Sequence, residues 1–159
     1  MRLLVISDSH KKSAVVDRVI RKEKSAAHIF FLGDVTDDIE DLLYEYTDRK
    51  FHIVRGNCDG FCRYPDYDIV NIEGVDILYT HGHTFGVKSS NDKLYDFAKN
   101  TGAKIALYGH THISNIEYKD GIYLINPGSV SSPKDSFASY CVIDIDANGI
   151  LPAIKKCGD

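Results

Sequence analysis

Apolar positions along the chain follow two periods, one of strands and one of helices. Leu3-Leu4-Val5-Ile6 is an unbroken apolar run within Arg2–Ser7 and reads as a buried strand. Over Ala14–Lys24 the spacing turns helical. Val15, Val16, Val19 and Ile20 share a face, and Ser13 precedes them as a candidate cap. Ala27–Leu32 is a second buried strand. Asp37 is placed to cap a helix reaching about Thr47, with Ile39, Leu42, Leu43 and Tyr46 turned inward. Lys50–Val54 is a third strand. This β-α-β-α-β order predicts parallel strands with helices packed outside.

Beyond that point the pattern becomes strand-rich. Tyr67–Ile72 and Val75–Tyr79 are expected to pair antiparallel around Glu73-Gly74. The spacing predicts a helix over Asn91–Asn100 with Leu94, Phe97 and Ala98 on one face and Gly102 as its stop. Ala103–Tyr108 is a short buried strand. Ile113–Tyr118, Ile122–Ile125, Ser139–Ile145 and Ile150–Lys156 complete the set. Turns at Lys119-Asp120-Gly121 and Ala147-Asn148-Gly149 and the loop Asn126-Pro127-Gly128-Ser129 join them. No repeat or linker interrupts the chain, so residues 1–159 are expected to form a single α/β domain.

Composition narrows the function classes. The 159 residues are 43% hydrophobic and 26% charged, the balance of an ordinary globular chain. A formal net charge of −4 argues against stable nucleic-acid binding, which needs a basic face. The opening apolar run is too short for a signal-peptide core or a membrane span. Cys58, Cys62, Cys141 and Cys157 contain no CxxC pair and are read as reduced thiols, with Cys141 a core residue. A cytoplasmic location follows as the expectation.

The chemistry lies at the ends of the strands. Five of them run into Asp8-x-His10, Gly33-Asp34, Gly56-Asn57, His81-Gly82-His83 and His110-x-His112. Ligand sites of α/β sheets lie beyond the carboxyl ends of strands. Five of the seven histidines fall in these patches, whereas His28 and His52 lie inside strands and read as structural. Singly, each patch has a plain explanation, a helix cap or a turn. Together they collect Asp8, His10, Asp34, Asn57, His81, His110 and His112, too many donors for one ion. Shared between two ions through one bridging carboxylate, they supply four donors to each. Mixed imidazole and carboxylate donors suit manganese, iron, zinc or nickel better than calcium or magnesium. Two such ions roughly 3.5–4 Å apart can hold a nucleophilic hydroxide and a phosphoryl group in line. Two divalent ions against Asp8 and Asp34 leave a formal +2, which a hydroxide and a phosphodiester monoanion neutralise. In an extended segment His110 and His112 point to the same side, with Gly109 letting the backbone turn.

In this order the five motifs resemble those of the calcineurin-like metallophosphoesterase superfamily, and most of all its small single-domain YfcE-like phosphodiesterases. The likeness spans nearly the whole chain and includes Asn126-Pro127-Gly128-Ser129. It implies a four-layer α/β/β/α sandwich of two mixed β-sheets flanked by helices. It also implies two divalent ions, with manganese first among the candidates. Asp8, His10, Asp34 and His112 would hold one ion. Asp34, Asn57, His81 and His110 would hold the other, with Asp34 bridging. The implied reaction is hydrolysis of a small-molecule phosphodiester by a hydroxide held at that centre. The wider family carries His after the Gly-Asn pair, as a proposed general acid. Here Cys58 follows Gly56-Asn57, as in the YfcE-like group. A thiol with a pKa of ~8.5 donates a proton less readily than an imidazolium near ~6.5. The donor is therefore Cys58, His83 or water, unless the leaving group needs none. A structural role for Cys58 is an equal reading, and His83 is read as supporting the ligands or contacting phosphate.

Two rival readings remain, a phosphomonoesterase and a non-catalytic scaffold on the same fold, the latter resembling a eukaryotic retromer subunit whose ligand set is altered. Tyr64, Phe85 and Lys88 lie near the motif loops as candidate cleft residues. A homodimer or higher homo-oligomer is the default expectation for assembly.

Overall fold

The computed structural model describes residues 1–135 and 137–158. Among the described residues the strand-period runs form ten strands in two five-stranded sheets. In the first sheet the order is β10-β9-β1-β2-β3, built from β1 (Arg2–Ile6), β2 (His28–Phe31), β3 (Lys50–Ile53), β9 (Ser139–Asp146) and β10 (Gly149–Lys156). Strands β1, β2 and β3 are parallel, and β9 and β10 add antiparallel. In the second sheet the order is β4-β5-β6-β8-β7, from β4 (Tyr67–Ile72), β5 (Val75–Thr80), β6 (Ile105–Leu107), β7 (Ser114–Lys119) and β8 (Ile122–Pro127). Here β5, β6 and β8 are parallel, with β4 and β7 antiparallel at the edges. The anticipated pair turning at Glu73-Gly74 forms as read, in the register Ile72 to Val75.

Alternation along the strands builds the layers. Leu3 and Val5 face the second sheet, packing with Phe30, Ile77, Ile105 and Ile125 in the central core. Leu4 and Ile6 face the other way, onto Val16, Val19 and Ile20 of α1 (Ser13–Lys22). Beyond the second sheet, Leu94, Tyr95 and Ala98 of α4 (Asp92–Thr101) cover Leu78, Ala106 and Leu124. Two mixed sheets flanked by helices are the anticipated sandwich. Among the described residues no helix is long and apolar enough to cross a membrane.

Three expectations change. Ser13 is the first helical residue and makes no side-chain cap. The Asp38 carboxylate instead accepts the Lys12 N–H at 3.0 Å, so the helix start is held from another element. The single helix expected from Asp37 is two short ones, α2 (Asp37–Glu40) and α3 (Leu42–Glu45). At the junction the Tyr44 N–H reaches back only to Asp41 O, a tighter turn in a stretch crowded with carboxylates. On α4, Tyr95 is buried where Phe97 was expected, and Phe97 is half-buried against Phe85 and Tyr67. His28 and His52 stack within the first sheet, their Nδ1 and Nε2 2.9 Å apart, which fits the structural reading.

Candidate metal centre

Parallel strands of both sheets end at one edge, and the polar residues that follow them converge there. β1 leads to Asp8 and His10, β2 to Asp34, β3 to Asn57, β5 to His81, and β6 to His110 and His112. The backbone that delivers them is strained. Asp8, His10, Asp34, His110 and His112 all have positive φ, between 45° and 68°. Non-glycine residues rarely adopt that region, and such strain gathers where surrounding contacts hold a functional geometry. His110 and His112 are therefore not in the extended backbone expected of them. They converge because each turns through the left-handed region. Gly109 is not needed for a turn either, since its φ is not positive. It is needed for space: a Cβ there would lie 2.0 Å from Ser7 Oγ and 2.9 Å from Asp8 Oδ2. Gly33 and Gly56 are a second close approach, where a Cβ on Gly56 would meet Asp34 Oδ1 at 2.1 Å.

Two groups of donors result. Asp8, His10, Asp34 and His112 present ligand-type atoms all within 4.8 Å of one another, and so do Asp34, His81 and His110. Asp34 belongs to both. Asn57, on an exposed loop, adds Oδ1 at 3.2 Å from His81 Nε2. Within the groups, His10 Nε2 and His112 Nε2 are 3.1 Å apart, as are His81 Nε2 and His110 Nδ1. His112 Nε2 is 3.2 Å from Asp8 Oδ1, and His81 Nε2 is 3.4 Å from Asp34 Oδ1.

The surrounding hydrogen bonds orient the rings and the Asp8 carboxylate around the cluster. A carbonyl can only accept, so His81 donates Nδ1–H to Leu32 O at 2.7 Å, and His112 donates its own to Ser132 O at 2.7 Å. In each ring the Nε2 lone pair then faces the cluster, the support common behind metal-bound histidines. Asp8 Oδ2 accepts from Ser7 Oγ at 2.6 Å and from the His110 N–H at 3.1 Å. Asp8 Oδ1 is buried with no hydrogen-bond partner among the described residues. An unpaired buried carboxylate oxygen facing nitrogen lone pairs is costly unless a cation sits among them. The donor chemistry therefore fits divalent metal.

The charges agree. Burial opposes ionisation of Asp8, but the nearby His112 and His81 rings and the hydrogen bond from Ser7 hold its pKa below the ordinary carboxylate value. His112 is raised by the Asp8 carboxylate 3.2 Å from its Nε2. His110 is pushed down to about 4 by burial and by the charges of His81 and Lys88, so its ring is neutral at physiological pH.

The other two site candidates lie beside these groups. His83, on a one-turn 3-10 helix (His83–Phe85), has its ring centroid 5.5 Å from that of His81, and burial lowers its pKa. Its Nδ1 is also buried without a partner among the described residues. Cys58 is exposed. Burial of the thiol and the charge of Asp34 raise its pKa, and its N–H donates to Asp34 Oδ1 at 2.9 Å. Of the cleft candidates, Lys88 lines a cavity next to the cluster. Phe85 packs on Phe97, and Tyr64 donates its hydroxyl to Glu40.

Sequence reasoning missed the residues that hold the loops. Asp59 accepts the amides of Asp34, Val35, Thr36 and Gly56 at 2.6–2.9 Å. Ser129 donates to Asp8 O at 2.7 Å and accepts from the amides of Ser131 and Ser132. Asn126 donates to Gly109 O. Their sequence signal was adjacency to the motifs, Asp59 in Gly-Asn-Cys-Asp and Asn126 and Ser129 in Asn-Pro-Gly-Ser.

Residues 1–148 match the family model described as the calcineurin-like phosphoesterase superfamily domain. The chain belongs to that superfamily. It is similar to the probable metallophosphoesterase YsnB of Bacillus subtilis, 28% identical over 92% of this chain and 85% of YsnB. It is also similar to the phosphodiesterase YfcE of Escherichia coli K12, 30% identical over 95% of this chain and 91% of YfcE. Among solved structures, a predicted phosphoesterase from Streptococcus pneumoniae superposes with a TM-score of 0.84 at 27% identity, covering 98% of this chain and 89% of the other.

Proposed function

We propose that this metallophosphoesterase is a phosphodiesterase acting at a dinuclear metal centre. One observation carries the reading: two donor groups share Asp34, and the buried Asp8 Oδ1 between the histidines has no other partner among the described residues. Asp8, His10, Asp34 and His112 are assigned to one ion. Asp34, Asn57, His81 and His110 are assigned to the other. Imidazole and carboxylate donors favour manganese, with nickel, iron and zinc as alternatives. When bound, divalent ions supply Lewis-acid polarisation of a phosphoryl group and make water acidic enough to be a nucleophile at neutral pH.

The chain's own residues do the rest. Leu32 O and Ser132 O fix the His81 and His112 rings through their Nδ1 protons. The Cys58 thiol, with its pKa raised, keeps its proton at neutral pH. Cys58 and His83 are the two candidates beside the centre to supply a proton to the leaving oxygen. A diester is preferred over a monoester because its single negative charge matches the centre, and the relative from E. coli is named a phosphodiesterase. The chain's net charge of −4 favours small-molecule diesters over nucleic acid. A cytoplasmic, single-domain enzyme is part of the same reading. A scaffold has no need of metal-type donors at all seven positions.

The test is metal analysis of protein loaded with manganese, with rates on bis(p-nitrophenyl) phosphate and p-nitrophenyl phosphate. Two ions per chain and faster diester hydrolysis are expected. Metal-free protein inactive on both esters after loading would refute the reading. Faster monoester hydrolysis would make it a phosphomonoesterase.

A further inference from the structure

A cavity of about 540 Å3 opens beside the histidine cluster. Tyr108 and Thr111, which flank Gly109-His110, both line it. The Tyr108 hydroxyl accepts from Asn91 Nδ2 at 2.9 Å and Asn115 Nδ2 at 3.4 Å, and both amides are also at the cavity wall. Two lysines stand at its edge. The Lys134 N–H donates to His112 O at 2.9 Å, which ties this residue to one end of the histidine pair. Lys88 is the second cation on the cavity wall. Both lysines are exposed, and neither forms an ion pair among the described residues.

None of the described residues lining this cavity is acidic, although the chain as a whole carries −4. A smaller cavity of about 320 Å3, on the Cys58 side of the centre, is lined by Asp37 and Asp59 as well as Lys11. The larger cavity is thus the anion-tolerant one. Its volume is in the range of small-molecule sites, about 300–1,000 Å3. Its amides and hydroxyls suit a sugar or nucleoside, and its two unpaired cations suit a group of charge −2.

We infer that this cavity seats the organic group of the phosphodiester and selects one bearing a second phosphate, held between Lys88 and Lys134. The inference rests on the phosphodiesterase reading for its scissile phosphate, and on the cavity for everything else. Lys88 and Lys134 are recognition residues, so their removal acts on KM.

Two p-nitrophenyl diesters separate the effect: thymidine 5′-(p-nitrophenyl phosphate), and the same molecule with a 3′-phosphate. Manganese-loaded protein should show about a tenfold lower KM for the 3′-phosphorylated substrate, the scale of two exposed charge pairs. Lys88→Ala/Lys134→Ala should bring the two KM values to within about twofold, again on that scale. A direct measurement runs beside it, calorimetric binding of thymidine 3′,5′-bisphosphate against thymidine 5′-monophosphate. If neither diester is hydrolysed, the phosphodiesterase reading fails. A bisphosphate preference that the double variant abolishes would still uphold the cavity. A wild-type preference near one in binding, or one that survives in the double variant, overturns the inference.

Discussion

Gly109→Ala should destabilise the protein far more than its single added methyl suggests. Gly109 has no positive φ, so alanine meets no backbone penalty there. The cost is contact. The new Cβ would lie 2.0 Å from Ser7 Oγ, 3.0 Å from Ser7 Cβ and 2.9 Å from Asp8 Oδ2, all on fully buried residues. Ser7 Oγ can move aside only by giving up its 2.6 Å bond to Asp8 Oδ2. Overpacking costs about 1–3 kcal/mol. Loss of a hydrogen bond to a charged group costs about 1.5–3 kcal/mol. Reduced freedom of the unfolded chain returns about 0.4–1 kcal/mol. The net expectation is about 3 kcal/mol, read as a fall in urea midpoint of about 1.5 M at unchanged slope. Gly60, which also lacks positive φ and has open space around its Cβ position, is the control: Gly60→Ala should stay within about 0.5 kcal/mol. Ser7→Ala removes the nearest clashing atom. Adding it to Gly109→Ala should therefore give a loss smaller than the sum of the singles by about 1 kcal/mol or more. A midpoint unchanged by Gly109→Ala, or strictly additive singles, would refute the close-approach argument.

Asp34→Ala should lose both ions, because Asp34 belongs to both donor groups, and atomic-emission metal analysis checks it; two retained ions would exclude a bridge. Asp59→Ala strips acceptors from four loop amides and should cost about 3 kcal/mol in urea unfolding, with weaker metal retention. Stability should also fall with acid through His52. Burial pushes its folded pKa down to about 4, so the unfolded chain binds the extra proton between that value and about 6.5. Stability is therefore complete above pH ~6.5 and lost as pH falls toward ~4, by about 2 kcal/mol once solvent screening of this partly exposed ring is allowed for. His52→Phe should make the fall in urea midpoint shallower over that window, leaving the share of His110, whose pKa is also lowered to about 4, and an equally steep fall would place the titration elsewhere.

The elements and their order were legible because strands and helices leave different apolar periods, and here both periods are clean. The boundary errors had a common cause. Lys12 is capped by Asp38 and the stretch after Asp37 splits in two, both decided by contacts or local hydrogen bonding that periodicity does not record. The ligand-type residues were legible because imidazole and carboxylate at strand ends are chemically distinctive. Asp59, Asn126 and Ser129 were not, because their task is to bind backbone amides and carbonyls brought near only by folding.

Sequence alone determined the two-sheet sandwich and the family, and it supplied the seven donors proposed as ligands, since these depend on residue type, period and order. Tertiary structure decided how the donors meet. His110 and His112 converge through positive φ rather than through an extended strand, and Gly109 serves by lacking a Cβ against Ser7. Only folding could also put Lys88 and Lys134, 46 residues apart in number, on one carboxylate-free cavity. Local sequence encodes conformational preference and chemistry. The spacing between chain segments, and the charge that each side chain feels across a gap, exist only once the two sheets have packed.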